Sequence, residues 1–137
     1  MNYWLMKSEP DAYSWQKLVK DGRGMWDCVR NHRAASNLRA MKKGDLAFFY
    51  HSNIGKEIVG ICKIDKESYP DPTDKTGTFV AVDVVPVKPL QQPVTLAQIK
   101  ADPAFEDFEL VKFSRLSVMP VPAEHWKRIC RMGGISG

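Results

Sequence analysis

Three apolar runs between residues 46 and 87 constrain this chain most. Leu46-Ala47-Phe48-Phe49-Tyr50-His51 is bounded by turn residues, and Ser52-Asn53-Ile54-Gly55-Lys56 reads as a hairpin loop leading into a second run at residues 58–64. The third, residues 78–87, is the longest β-branched stretch, with Pro86 marking an edge or a bulge. Around this β-rich centre the signals are shorter. A strand is expected at residues 3–7. A helix should follow at 14–20, capped by Ser14, with Trp15, Leu18 and Val19 on one face. A second helix fits 32–41, with Asn31 as its cap and Ala34, Ala35, Leu38 and Met41 at helical spacing. Downstream come a short capped helix at 95–100, either a helical turn or an irregular segment from Pro103 to Phe113, a closing strand at 116–121 and a terminal helix at 122–132. Strands and helices do not alternate as βαβ units, and no Gly-rich loop follows a strand, so a doubly wound nucleotide-binding sheet is excluded. The order predicts an α+β fold, a small mixed β-barrel with helices packed around its rim.

At 137 residues the chain is sized for one domain, read here as spanning 1–137. Its 44% hydrophobic and 26% charged content is that of an ordinary globular protein. The net charge of +4 conceals an uneven distribution. Residues 1–63 hold 11 Lys/Arg against 6 Asp/Glu, residues 64–111 hold 4 against 9, and residues 112–137 hold 5 against 1. Two basic ends therefore flank an acidic centre, and if the ends meet they form one basic face. No apolar run approaches the roughly 18 residues that a membrane span needs, so no membrane partner is expected. The first seven residues do not read as a secretory signal. Cys28, Cys62 and Cys130 form no CxxC pair, which predicts a reducing, cytoplasmic setting. Three histidines without ligand spacing predict no metal site, and no cofactor is expected.

Four motifs carry chemistry-bearing groups. Lys7-Ser8-Glu9-Pro10 brings a cation, a hydroxyl and a carboxylate off the end of the first strand; the plainer reading is a polar turn. Trp26-Asp27 precedes a helix carrying Arg30, Asn31, His32, Arg33 and Arg39, and so pairs a stacking surface with edge-reading groups. A core Trp with a capping Asp is the alternative. Tyr50-His51-Ser52 ends an apolar strand, where it serves either a ligand or local hydrogen bonding. Ser114-Arg115 suits an anion or base-edge contact, or is a solvated loop. Trp4, Trp15 and Trp126 sit among periodic apolar neighbours and read as core. A catalytic reading is weak: no motif couples Cys28 to His51, no carboxylates pair tightly, and Ser8, Ser52 and Ser114 lack a nucleophile elbow.

Together the motifs resemble the EVE domain family of the PUA-like superfamily. The matching residues are Trp4-Leu5-Met6-Lys7-Ser8-Glu9-Pro10, Trp26-Asp27-Cys28-Val29-Arg30-Asn31 and Asn37-Leu38-Arg39-Ala40-Met41-Lys42-Lys43-Gly44-Asp45. They continue with Phe48-Phe49-Tyr50-His51-Ser52-Asn53, Tyr69-Pro70-Asp71-Pro72-Thr73 and Ser114-Arg115-Leu116-Ser117-Val118. The resemblance implies a PUA-like barrel, similar to YTH and ASCH domains. It also implies a non-enzymatic reader of modified bases, above all a modified cytosine in DNA, with RNA as an alternative. It places Ser8, Glu9, Trp26, Asp27, Asn31, Tyr50, His51, Ser52 and Arg115 around one base pocket, with Trp26 and Asp27 coming from a loop that follows the first strand. Trp26 would stack on the base, and Glu9 would accept from a cytosine amine. Lys7, Arg30, Arg33, Arg39, Lys42 and Lys112 would meet phosphates. On this reading Trp26→Ala removes binding without unfolding. Restriction or repair proteins are implied as partners. The competing classes are a nucleotide-like small-ligand sensor or enzyme using the same pocket, and an interaction protein whose pocket is vestigial.

Overall fold

A computed structural model describes residues 1–135; Ser136 and Gly137, which the one-domain reading includes, lie outside the described residues. Its strands are β1 (Tyr3–Ser8), β2 (Gly24–Trp26), β3 (Leu46–His51), β4 (Glu57–Pro70), β5 (Val80–Thr95) and β6 (Val118–Pro120). Its helices are α1 (Trp15–Asp21), α2 (His32–Ala40), α3 (Leu96–Ala101), α4 (Glu109–Lys112) and α5 (Ala123–Met132), with a single 3-10 turn at Pro103–Phe105. The strands form one sheet in the order β2-β5-β4-β3-β1-β6. The β1–β3 pair is parallel and the other pairs are antiparallel. The α+β class and the mixed sheet are as the sequence predicts. The barrel is a curled half-barrel, because its outer strands β2 and β6 do not pair with each other.

The three central runs form the antiparallel meander β3–β4–β5, but β4 and β5 are longer than periodicity suggests. Pro86, Pro89 and Pro93 all lie within β5. They are tolerated because β2 covers β5 only at Val82–Val84, so the missing N–H groups beyond that point cost no ladder bond on the open side. The β4–β5 register also shifts between Ile61 and Cys62, where Pro86 sits. The loop from Ser52 to Lys56 turns through left-handed residues Asn53, Gly55 and Lys56.

Helix starts follow local chemistry. Ser14 Oγ accepts from Lys17 N at 3.0 Å, and Asn31 Oδ1 accepts from Ala34 N at 2.9 Å. Thr95 and Gln98 cap α3 reciprocally. Ala34, Ala35, Leu38 and Met41 are fully buried, whereas Val19, expected on the inner face of α1, is 50% exposed.

Adjacent strand residues point to opposite faces, yet Phe48 and Phe49 are both fully buried. The sheet is therefore covered on both sides. Phe48 stacks on Trp126 with centroids 3.9 Å apart, while Phe49 meets Trp15 and Trp26 edge-on at 5.6 and 5.3 Å. The two basic ends of the chain do meet: β6 lies beside β1, and Lys7 N donates to Ser117 O at 2.8 Å. The acidic centre returns to them as well. Arg23 pairs with Asp65 and Asp83, Arg30 with Asp71, and Arg33 with Glu109, so part of the basic face is neutralised by the segment that had seemed separate from it.

Candidate nucleic-acid interface

Parallel pairing sets Ser8 opposite His51, so β1 and β3 end at the same edge of the sheet. Beyond Ser8 the chain turns tightly. Ala12 N and Tyr13 N both donate to Glu9 O, and Ser8 Oγ donates to Tyr13 O at 2.6 Å. The Ser8 proton is thereby committed to the turn, and its oxygen remains only as an acceptor.

A cavity of about 540 Å³ opens beside this turn, and Lys7, Ser8, Glu9, Trp26, Asp27, Arg30 and Asn31 all line it. Its size lies within the range of small-ligand sites, about 300–1,000 Å³. Trp26 sits on β2, opposite Val82 of β5, and not in a loop as the sequence suggested. It is 6% exposed, packed edge-on against Phe49 and Tyr13. Trp26 is thus a core residue as well as a wall of the cavity. Asp27 beside it is half-buried, and its carboxylate has no hydrogen-bond or ion-pair partner among the described residues. Asn31 uses Oδ1 to cap α2, which leaves its Nδ2 donors unengaged among the described residues.

The segment from Cys28 to Asn31 is held by a residue that sequence reasoning missed in this role. Asp71, 2% exposed, accepts from Cys28 N at 2.8 Å and from Arg30 Nη1 at 3.1 Å. Its other oxygen accepts from Thr73 N and Oγ1. Burial pushes the Asp71 carboxyl up, but the Thr73, Cys28 and Arg30 hydrogen bonds outweigh it and hold the group below the ordinary carboxylate range. The turn residues of Tyr69-Pro70-Asp71-Pro72-Thr73-Asp74 read in the sequence as a loop. Tyr69 and Pro70 instead end β4 and pair with Ala81 and Val80, so only Asp71 onward is loop. The left-handed backbone of Cys28 that lets its N–H face Asp71 has no sequence signal.

Of the four remaining expected pocket residues, three line a different cavity. Tyr50, Ser52 and Arg115 face a second cleft of about 510 Å³, which shares Lys7, Glu9 and Ser117 with the first. Tyr50 is 3% exposed, and burial pushes its phenol up to about 12, so it stays protonated. His51 lines neither cavity. Its Nε2 accepts from Trp15 N at 3.1 Å and its ring meets Phe49 edge-on, so the imidazole serves the start of α1. Burial lowers its pKa, with Glu57 opposing, which favours the neutral acceptor form. Glu9 Oε1 accepts from Asn53 Nδ2 at 2.8 Å, so this carboxylate is already partly engaged.

The expected phosphate contacts also separate. Lys7 donates to Ser114 O at 3.0 Å, and burial lowers its amine pKa. Arg30 is tied to Asp71 and Thr73. Arg33 pairs with Glu109 at 2.7 Å and lies over Phe113; with Lys112 and Arg115 it lines a third, shallower concavity that shares Asn31 with the first. Arg39 and Lys42 are not brought to this edge. Arg39 donates to Thr78 O, and the Lys42 N–H bonds Asp45 just before β3, a strand length of roughly 17 Å from His51.

Among the described residues, no group of three or more His, Cys, Asp or Glu is placed to hold a metal ion, and no helix is long and apolar enough to cross a membrane. No hydrogen bond joins Cys28 to His51: Cys28 Sγ faces Thr73 Oγ1 at 3.6 Å.

Relatives place these features in a family. Thymocyte nuclear protein 1 of Rattus norvegicus is 34% identical over 91% of this chain and 70% of its own length. The Mus musculus protein of the same name is 49% identical over 84 residues, 53% of this chain, and the match spans only 37% of that protein. A Rhodopseudomonas palustris protein solved by NMR superposes with a TM-score of 0.92 at 56% identity, covering 98% of this chain and 94% of that one. The human THYN1 protein, solved in complex with DNA containing 5-methylcytosine, superposes at 0.90 with 31% identity over the full length of both chains. A Zygosaccharomyces rouxii YTH domain, at 18% identity and a TM-score of 0.62, shares the fold. The EVE domain pattern matches residues 2–132, and the chain belongs to the EVE domain family.

Proposed function

We propose that this chain is a non-catalytic nucleic-acid-binding module that accepts an extruded modified base, with 5-methylcytosine in DNA as its leading ligand, in the cavity walled by Trp26. The observation that carries this reading is half-buried Asp27, whose carboxylate has no hydrogen bond or ion pair among the described residues, next to Trp26 in a cavity of about 540 Å³. A carboxylate there accepts from the exocyclic amine of cytosine, and the free Asn31 amide donates to the ring's acceptors. Glu9 and the Ser8 oxygen supply further acceptors at the rim. The human relative solved with 5-methylcytosine DNA supports the choice of ligand.

Extruding a base from a duplex costs a few kcal/mol, which backbone contacts offset. A single added methyl contributes only about 1–3 kcal/mol to selectivity. The test is a fluorescence-anisotropy screen of the purified chain against matched DNA and RNA oligonucleotides carrying unmodified, cytosine-modified or adenine-modified bases. Tighter binding of 5-methylcytosine DNA, by roughly 10- to 200-fold, is expected. Equal affinity for every modification would reject the reading.

A further inference from the structure

We infer that the second cleft, where Lys7, Lys56, Lys100 and Arg115 converge, is a phosphate site that holds the backbone of the strand as it leaves the base cavity. The identity of the strand rests on the proposed base reading; the anion chemistry of the cleft does not.

Charge separates the two cavities. In the base cavity Lys7 and Arg30 face Glu9 and Asp27, and Arg30 is already paired with Asp71, so little positive charge is left for a phosphate. In the second cleft four cations face one carboxylate, Glu9. Lys56, Lys100 and Arg115 have no ion pair among the described residues. Concave, low-dielectric walls focus such a field on an anion.

These cations are brought together by the fold, since they come from four separate segments. Lys7 is on β1, its amine fixed by Ser114 O and lying 5.6 Å from the Tyr50 ring centroid. Lys56 closes the β3–β4 loop in a left-handed conformation and lines the cleft, and its carbonyl accepts from Leu96 N at 2.9 Å, tying that loop to the start of α3. Lys100 is in the last turn of α3, and Arg115 precedes β6. Because Lys7 and Glu9 line both cavities, a nucleotide seated against Trp26 has its sugar–phosphate at the mouth of this cleft. Lys56, in the hairpin loop, and Lys100, at the end of the short capped helix, were not among the site residues that the sequence or the resemblance suggested.

The double variant Lys56→Gln/Lys100→Gln tests the site, with circular dichroism confirming the fold. For a single-stranded oligonucleotide the slope of log K against log salt should shrink by about 1.4, since each lost phosphate contact removes about 0.7. Affinity at 0.1 M salt should drop roughly tenfold, equally for modified and unmodified strands. An unchanged slope overturns the proposal. Inorganic pyrophosphate, titrated alone and followed by amide shifts at Ser114 and Ser117, separates this site from the base reading. If the wild-type chain binds no oligonucleotide but pyrophosphate shifts those amides in it and not in the variant, the anion site stands and the base reading fails. If pyrophosphate shifts nothing and the slope is unchanged, the anion site is rejected whatever the base cavity does.

Discussion

Arg30 and Asp71, 41 residues apart in sequence, form an ion pair at 3.1 Å in which the carboxylate is buried and the guanidinium is partly exposed. The pair joins the start of the α2 segment to the loop between β4 and β5. The same carboxylate oxygen also receives the Cys28 N–H, so one side chain fixes the wall of the base cavity from behind.

Asp71→Ala should therefore act on both stability and binding. It leaves the Cys28 and Thr73 donors without their acceptor, at a cost of about 2–3 kcal/mol, read by denaturant unfolding. Base selectivity should fall with it, as the Asp27–Asn31 segment loosens. The folded pKa of Asp71 is depressed below 3.8. Its contribution is therefore complete above that value and is lost as pH falls through the lower folded value. Stability of Asp71→Ala equal to wild type at neutral pH would contradict this anchoring.

Trp26 requires a gentler substitution than the sequence suggested. Because it packs edge-on against Phe49 and Tyr13 and is 6% exposed, Trp26→Ala should unfold or soften the domain, by about 3–5 kcal/mol. Trp26→Phe keeps an aromatic wall with a smaller stacking face. It should retain the fold while binding the modified oligonucleotide several-fold more weakly, a part of the roughly 1–3 kcal/mol of a base–aromatic stack. Full affinity in a folded Trp26→Phe would remove the indole from the recognition surface.

Asp27→Asn isolates the edge-reading step. With no hydrogen bond or ion pair to lose among the described residues, it should leave the melting temperature within about 2 °C of wild type, as for changes of about ±0.5 kcal/mol or less. Its binding to cytosine-type ligands should fall roughly 5- to 100-fold, the worth of a base-edge contact. Undiminished affinity would point to Glu9 as the acceptor instead.

His51 makes the fold sensitive to mild acid. Its neutral Nε2 accepts from Trp15 N, which places the ring proton on Nδ1. Its folded pKa is depressed from 6.5, chiefly by burial. The stabilisation is thus complete above pH 6.5 and declines as pH falls through the lower folded value, where a second ring proton would oppose the Trp15 N–H. As pH falls from 6.5 to 5, the protection factor at Trp15 should fall once the intrinsic rate, which itself slows over that range, is divided out, and His51→Gln should flatten that dependence. Protection of Trp15 that is independent of pH would exclude the coupling.

Gly60 tests the packing beneath the site. A Cβ there would stand 2.7 Å from three atoms of the Trp15 indole, a rigid ring on the capped helix α1. Gly60→Ala should cost about 1–3 kcal/mol and lower the thermal midpoint by roughly 3–10 °C. A midpoint equal to wild type would mean that the ring has room to move.

Local signals in the sequence determined the positions of most helices and strands. Ser14, Asn31 and Thr95 cap helices because an N-cap needs only a side-chain oxygen within three residues of a free N–H. The apolar runs at β3, β4 and β5 are legible for the same reason: strand pairing is written in residue type over short windows. The motifs that carry the family resemblance were all readable, and Ser8, Glu9, Trp26, Asp27 and Asn31 do line one cavity. The three-residue β2 was invisible, being too short to show a period, and Trp26 was consequently misread as a loop residue.

Tertiary structure alone decided which motifs share a site and which charges remain free. It sent Tyr50, Ser52 and Arg115 to a second cleft and turned His51 onto Trp15. It consumed Arg30 and Arg33 in pairs with Asp71 and Glu109, and left the side chains of Asp27 and Lys56 without a hydrogen bond or ion pair among the described residues. The reason is physical: a group's donors, charge and pKa depend on neighbours within a few ångströms and on exclusion of water. For these residues the decisive neighbours lie tens of positions away along the chain.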